Sequence, residues 1–117
     1  MLYGIIICLI LLLYIFVLLR PGKAAVYPDA VLVDYAHRGA FGDGIPENSL
    51  AAFARAADNG CGIELDVQLS KDGQVMVFHD TYLERMTGMP GKCGDYTAME
   101  LSAMRLAGTE ETIPTFR

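Results

Sequence analysis

The chain has 117 residues, 53% of them hydrophobic, and a formal net charge of -5 from nine Lys and Arg against 14 Asp and Glu. That length suffices for one small domain and is well short of the roughly 250 residues of a closed (β/α)₈ barrel. The acidic balance argues against a nucleic-acid-binding protein. The three cysteines form no C-x-x-C pair, so neither a disulfide framework nor a zinc knuckle is expected.

An apolar run opens the chain, and residues 2–19 carry no charge. As a helix this run covers about 27 Å, just enough to span a hydrocarbon core. A cleaved signal peptide is the alternative, but the run lacks a basic start and Ala24-Ala25 is a weak cleavage site. We therefore predict one uncleaved transmembrane anchor over residues 2–19. Arg20 and Lys23 follow it and place the later part of the chain on the cytoplasmic side.

A change of composition follows the apolar run. Residues 20–30 mix Pro, Gly and small side chains and are interpreted as a linker. The domain is assigned to residues 31–117. It begins with a mostly apolar strand over residues 31–36, which leads into a glycine-rich loop.

A helix is predicted after this loop. The expected N-cap is Asn48 or Ser49, and Asn59-Gly60 provides the stop signal. The apolar side chains expected on its buried face are Leu50, Phe53, Ala54 and Ala57. Strand, loop and helix together predict a βα unit.

A hairpin is predicted next. Residues 62–69 alternate apolar and polar side chains, and four turn residues separate them from a second strand over residues 74–78. So short a connection favours antiparallel pairing. A symmetric turn places Glu64 opposite His79, whereas a bulge would slip the register by one residue and turn His79 away.

The last third of the domain has weaker signals. Residues 81–96 are expected to be irregular. Thr97 and Glu100 fit a capping box ahead of a short helix that runs through Leu106 and ends at Gly108.

Two carboxylates and two histidines are the candidates for chemistry. Glu64 and Asp66 are two residues apart, so on a strand they project to the same side about 7 Å apart and can reach one hard divalent cation. The alternative is an ordinary solvent-exposed strand face. His37 and His79 each follow an apolar strand directly, which is where α/β folds place their sites. Two imidazoles can divide the acid and base roles in phosphoryl or acyl transfer.

The neighbours of these residues allow two interpretations. Arg38 offers a planar fork that suits a phosphate, although an exposed arginine near a turn needs no such role. Asp80 beside His79 could be a turn residue. Cys61 and Cys93 are interpreted as small apolar fillers.

The combination of motifs resembles the glycerophosphodiester phosphodiesterase family. The likeness runs from about residue 33 to 117, in the family's order and spacing. Its motifs are A-H-R-G at 36–39, I-P-E-N-S at 45–49, I-E-L-D-V-Q-L-S-K-D-G at 63–73 and V-F-H-D at 77–80. The resemblance implies an α/β fold, the N-terminal portion of a TIM-type (β/α) barrel of the kind related to phosphatidylinositol-specific phospholipases C.

The resemblance also implies roles for single residues. His37 and His79 would be the acid and base, and Glu64 and Asp66 would bind one Mg²⁺ or Ca²⁺. The implied phosphate-binding residue is Arg38, and the implied supporting residues are Glu47, Asn48 and Asp80. The implied reaction is metal-assisted hydrolysis of a glycerophosphodiester to an alcohol and sn-glycerol 3-phosphate.

The family's third metal ligand and its phosphate-contacting lysine lie on a later strand, which this sequence does not reach. We therefore expect the N-terminal piece of an enzyme, with a glycerophosphodiester and a membrane as partners and no nucleic acid. The alternatives are a non-catalytic membrane-anchored fragment or pseudoenzyme, and a related lipid phosphodiesterase of similar fold.

Overall fold

The computed structural model describes residues 2–19 and 33–116. The predicted linker and the first two residues of the predicted first strand lie outside the described residues. The elements, in chain order, are α1 (Leu2–Leu18), β1 (Tyr35–His37), α2 (Leu50–Asp58), β2 (Gly62–Glu64), β3 (Val67–Leu69), β4 (Val75–Val77), α3 (Glu84–Thr87), a 3₁₀ turn (Cys93–Asp95) and α4 (Ala98–Ser102).

The transmembrane anchor predicted over residues 2–19 is not supported. The apolar run does form a helix, α1, which has 17 residues. Across residues 2–19 and 33–116, no helix is both long and apolar enough to cross a membrane. The cytoplasmic placement of the domain rested on this anchor and stays a prediction.

Strands β1 and β2 are parallel and are joined through α2. Tyr35 is paired with Gly62 and His37 with Glu64. Two parallel strands require a crossover connection, and α2 provides it. The predicted βα unit is therefore part of a βαβ unit. Because both strands run in the same direction, their carboxyl ends lie at the same edge of the sheet.

Helix α2 begins at a buried cap. Ser49 is fully buried, and its Oγ accepts a hydrogen bond from the Ala52 N–H at 3.1 Å and donates to the Pro46 carbonyl at 2.7 Å. The prediction of Ser49 as one of two candidate caps is thereby confirmed. At the other end Asn59 caps the helix and Gly60 has a φ of +70°, as the stop signal predicted.

The face of α2 that contacts the domain differs from the prediction. Ala52 and Ala56 are fully buried, whereas Leu50 is 65% exposed. Ala54 and Ala57 are exposed as well. Small side chains occupy the buried face because the preceding loop packs directly on the helix backbone. The predicted face was based on the spacing of apolar residues, which does not indicate where a loop packs against the helix backbone.

Gly39 makes this close approach possible. Its φ is +81°, and a Cβ built there would lie 2.8 Å from the Ala52 Cβ and 2.9 Å from the Ala52 carbonyl carbon. The Ala40 N–H also donates to the Ala52 carbonyl at 3.0 Å. The turn after β1 is therefore fixed against α2 by backbone contact, which only glycine permits.

The hairpin is present, with a different register from the symmetric one. Strands β3 and β4 are antiparallel, with Val67 paired with Val77. Ser70 and Gln74 close the turn, and the Ser70 N–H donates to the Gln74 carbonyl at 2.9 Å. Three residues then form the loop, and Gly73, with a φ of +78°, is the left-handed residue that such loops require. The predicted pairing of Glu64 with His79 is thus wrong.

The predicted strand over residues 62–69 is divided into two. Its first part, β2, pairs with β1, and its second part, β3, pairs with β4. The division falls at Asp66, whose carbonyl accepts a hydrogen bond from the Phe78 N–H at 2.9 Å. The alternation of apolar and polar side chains continues from β2 into β3, so the sequence pattern does not indicate that the two strands pair with different partners.

The last third of the domain supplies the main core. Residues 81–96, predicted to be irregular, contain α3 and the 3₁₀ turn. The capping box of Thr97 and Glu100 is confirmed, but α4 ends at Ser102 and does not reach Leu106. The buried side chains that pack together are Met76, Phe78, Leu83, Met86, Cys93, Ala98, Leu101, Met104, Leu106 and Ile113. This cluster includes Met76 of β4 and Phe78, the residue directly before His79.

Replacing Gly39 by alanine should destabilise the domain through the contact with α2. Gly44→Ala is a matched control, since Gly44 has a φ of +84° and open space around it. Both changes carry the cost of a left-handed alanine, so the difference isolates the overlap with α2. We expect Gly39→Ala to lower the free energy of unfolding by about 1–3 kcal/mol more than Gly44→Ala, as measured by urea denaturation. Equal losses would show that the close approach does not contribute.

Candidate active site

The ends of the two parallel strands bring His37 and Glu64 together. They are paired in register, and the His37 Nε2 lies 4.0 Å from the Glu64 Oε2. Their side chains are 69% and 47% exposed, so both are open to solvent and to a ligand. The strand-end position of His37 was predicted from the sequence. Its pairing with Glu64 follows from parallel strand order.

Arg38 connects the turn after β1 to three carboxylates. Its backbone N–H donates to the Glu64 Oε2 at 3.2 Å, and its Nη1 donates to the Glu47 Oε1 at 2.9 Å. The Nε lies 3.4 Å from the Asp66 Oδ2 and is buried without a hydrogen bond. Arg38, the predicted phosphate-binding residue, is therefore held by carboxylates of the chain itself.

Asn48 fixes the position of Asp66. The Asn48 Nδ2 donates to the Asp66 Oδ2 at 3.2 Å, and the Asp66 N–H donates back to the Asn48 Oδ1 at 3.4 Å. Asn48 is 3% exposed, so this two-point contact is shielded from water. Asn48 therefore fixes the position of Asp66 between β2 and β3.

Arg38 and Asn48 share a backbone feature. Their φ angles are +59° and +54°, in the left-handed region that residues with a Cβ rarely adopt. Such conformations cost about 1–3 kcal/mol and persist where the surrounding structure requires them. Here both side chains are turned onto the same carboxylate, that of Asp66.

His79 is paired with its neighbour Asp80. The His79 Nδ1 lies 2.7 Å from the Asp80 Oδ1. A carboxylate only accepts, so the neutral imidazole carries its hydrogen on Nδ1 and leaves Nε2 with a free lone pair. The Nε2 of His79 is therefore its basic nitrogen. Asp80, for which a turn residue was the alternative interpretation, is the hydrogen-bond partner of His79.

Arg85 is a site residue that the sequence did not indicate. Its Nε donates to the Asp80 Oδ2 and its Nη2 to the Glu47 Oε1 at 2.6 Å. It lies on the short helix α3, in a segment expected to be irregular. No periodic or motif signal singled it out, and an exposed arginine is common after a turn.

Two arginines keep the neighbouring carboxyls ionised. Partial burial would raise the pKa of Glu47, but hydrogen bonds from Arg85 and Arg38 outweigh it and hold that pKa below its ordinary value. The hydrogen bond from Arg85, opposed by partial burial and assisted by His79, lowers the pKa of Asp80 to about 2. Both groups are therefore anionic at neutral pH.

The acidic side chains offer two places for a divalent cation. Glu47, His79 and Asp80 have ligand atoms within 4.8 Å of one another, the one such group of three in the described parts of the chain. Its two carboxylates already accept hydrogen bonds from Arg85, so a cation bound there would compete with that guanidinium. Within residues 2–19 and 33–116, no arginine side chain forms an ion pair with the carboxylate of Glu64, whose side chain is 47% exposed. The oxygen donors Glu64 and Asp66 suit Mg²⁺ or Ca²⁺.

A second missed residue, Gln68 on β3, holds the backbone around His79. The Gln68 Nε2 lies 3.1 Å from the carbonyl oxygen of Phe78, 3.1 Å from that of His79 and 2.7 Å from that of Asp80, and these three oxygens share its two hydrogens. The alternating pattern placed Gln68 on the polar face of the strand without indicating a role.

Stability at low pH should report the charge on Asp80. The folded domain protonates Asp80 near pH 2, whereas the unfolded chain does so near pH ~3.9. Between these values the unfolded chain binds more protons, so the free energy of unfolding falls as the pH is lowered from about 4 to about 2. Asp80→Asn should reduce this fall, as measured by denaturation at several pH values. Asp43→Asn is the control, since the Asp43 side chain is 97% exposed. An identical fall in both variants would contradict the assignment.

Comparison with known proteins places this site in a family. The sequence profile of the glycerophosphoryl diester phosphodiesterase family matches residues 37–117. A glycerophosphodiester phosphodiesterase from Bacillus altitudinis is 53% identical over 68 residues, which are 57% of this chain and 27% of the relative. The chain thus spans less than a third of the length of such relatives.

Two solved structures agree with this match. A glycerophosphoryl diester phosphodiesterase from Parabacteroides distasonis has a TM-score of 0.67 and 38% identity, over 72% of this chain and 32% of that one. An Oleispira antarctica phosphodiesterase in complex with the product sn-glycerol-3-phosphate has a TM-score of 0.66 and 36% identity, over 74% of this chain and 38% of that one. They confirm the predicted α/β class. The chain belongs to the glycerophosphoryl diester phosphodiesterase family.

Proposed function

We propose that the site of this chain hydrolyses glycerophosphodiesters to an alcohol and sn-glycerol 3-phosphate. The observation that carries the proposal is the pairing of His37 with Glu64 at the ends of adjacent parallel strands. It places a group that can transfer a proton beside an oxygen ligand for a cation. The product named for the Oleispira antarctica phosphodiesterase supports the choice of substrate.

The barrel is part of the proposal. Strands β1 and β2 would be the first two strands of a (β/α) barrel, with α2 as the first outer helix. Their parallel order and the match to about a third of larger family structures support this. In such barrels the active site lies at the carboxyl ends of the strands, where His37 and Glu64 lie.

Glu64 and Asp66 would hold one Mg²⁺ or Ca²⁺. When bound, the ion supplies positive charge that polarises the phosphoryl oxygens. Glu64 presents an exposed carboxylate, and Asn48 orients the Asp66 carboxylate through two hydrogen bonds. Arg38 would supply the positive charge that attracts the phosphate, and its contacts with Glu47 and Asp66 fix the guanidinium beside these carboxylates.

The two histidines would divide the proton transfers. Asp80 holds a hydrogen on the His79 Nδ1, so the His79 Nε2 is the nitrogen that accepts or returns a proton. His37 would serve the other oxygen of the phosphodiester. One imidazole would remove the proton from the attacking glycerol hydroxyl, whose oxygen bonds to phosphorus, and the other would protonate the alcohol oxygen that leaves. Water would then open the resulting cyclic phosphodiester to sn-glycerol 3-phosphate.

A chimera tests the histidine roles. Residues 37–117 of this chain would replace the matching segment of the Bacillus altitudinis relative, and turnover of glycerophosphocholine with Mg²⁺ or Ca²⁺ would be measured. We expect His37→Ala and His79→Ala each to lower kcat by about 10²- to 10⁴-fold. Full activity of either variant would overturn its assignment. Parallel assays of the 117-residue chain and of a lysolipid substrate distinguish a non-catalytic fragment and a lipid phosphodiesterase.

The same chimera tests the cation ligands. Glu64→Gln keeps the size of the side chain and removes its charge, so we expect activity to fall by about 100-fold or more and the required metal concentration to rise. Glu110→Gln is the matched control, since the Glu110 side chain is 84% exposed and is paired with Arg105. An unchanged metal dependence in Glu64→Gln would contradict the assigned ligand.

A further inference from the structure

We propose that Gln68 is a positioning residue for His79, which it orients through the backbone of residues 78–80. The inference rests on the proposed function for the role of His79 and goes beyond it by assigning the group that sets its geometry. Gln68 reaches none of the side chains assigned to proton transfer or cation binding. It acts on the three peptide groups that carry His79 and Asp80.

The hydrogen bonds of Gln68 converge in an unusual way. One amide nitrogen, with two hydrogens, lies between 2.7 and 3.1 Å from three consecutive carbonyl oxygens. Three carbonyl dipoles directed at one point repel one another unless a donor lies between them. The turn after β4 therefore depends on the Gln68 N–H groups for its shape.

This shape determines the contact between His79 and Asp80. The two side chains belong to adjacent residues, so the 2.7 Å approach of Nδ1 to Oδ1 depends on the peptide plane between them. The carbonyl of His79 belongs to that plane, and Gln68 binds it. Arg85 also holds Asp80, since its Nε donates to Oδ2 and its Nη2 donates to Oδ1 at 2.9 Å. Gln68 fixes the backbone and Arg85 fixes the carboxylate.

The fold places Gln68 where it can do this. Gln68 is in the middle of β3, paired with Met76 of β4. Met76 is fully buried, so this part of the hairpin is anchored in the core. The side chain of Gln68 thus extends from a strand anchored in the core to the backbone of residues 78–80 and constrains its conformation.

The test uses the 117-residue chain and the nitrogen resonances of its histidine rings. The chain contains two histidines, so His37 is an internal control in the same spectrum. At a pH where both rings are neutral, the ¹⁵N shifts show which ring nitrogen carries the hydrogen. In the unmodified chain His79 should carry it mainly on Nδ1, because Asp80 accepts it there.

Gln68→Glu keeps the shape of the side chain and replaces the donor by an acceptor. We expect the ratio of the Nδ1-H to the Nε2-H form of His79 to fall by about tenfold, with His37 unchanged. Gln74→Glu is the matched control, since Gln74 is an exposed glutamine of the same hairpin. Gln68→Arg retains N–H donors and should restore most of the ratio.

A purely structural role predicts a different result. Loss of the fold would change His37, His79 and the methyl resonances of Met76 and Ile113 together, and Gln68→Met would then lower stability without a selective effect on His79. A folded Gln68→Glu variant with an unchanged His79 ratio would overturn the proposal, as would equal changes in both histidines. Because no turnover is measured, these results are independent of whether the site hydrolyses glycerophosphodiesters.

Discussion

The carboxylate of Glu47 between the guanidinium groups of Arg38 and Arg85 is the interaction on which the site depends. Arg38 follows β1, Glu47 precedes α2, and Arg85 belongs to α3, so one carboxylate joins the βα unit to a helix 38 residues further along the chain. The Glu47 side chain is 13% exposed, and in such a shielded position charge-assisted hydrogen bonds are strong. Arg85 then extends the network to Asp80, and Asp80 extends it to His79.

This network divides the acidic residues into two kinds. Glu47 and Asp80 are neutralised by arginines, and their charges orient other side chains. Glu64 receives a backbone N–H and has an exposed carboxylate, and Asp66 is oriented by Asn48. A cation near Glu47 and Asp80 would have to compete with Arg85, whereas one near Glu64 would not. The proposal of Glu64 and Asp66 as ligands therefore rests on the exposed carboxylate of Glu64, since Asp66 itself lies 3.4 Å from the Arg38 Nε. Glu47, His79 and Asp80 are the more compact group.

Sequence reasoning reached the parts of the site that follow from local pattern. Ser49 caps α2 as predicted, and a hairpin is present, although its loop has three residues and not four. His37 is the last residue of β1, and His79 lies two residues after the end of β4, so both are near strand ends. The register, the change of strand partner at Asp66 and the roles of Arg85 and Gln68 depend on contacts between distant segments. A left-handed Gly73 shortens the hairpin loop by one residue, and no composition signal distinguishes that loop from a symmetric one.

The proposal that Glu64 and Asp66 bind a cation, whereas Glu47 and Asp80 pair with arginines, is tested most directly by locating a bound ion. Mn²⁺ can replace Mg²⁺ or Ca²⁺ at oxygen sites and broadens the NMR signals of nearby amides. In the ¹⁵N-labelled chain at low Mn²⁺ concentration, the account predicts that the amides of Arg38, Glu64 and Asp66 broaden first, and that Glu64→Gln suppresses this effect. Broadening centred on Asp80 and Arg85, unaffected by Glu64→Gln, would contradict it and assign the ion to Glu47, His79 and Asp80.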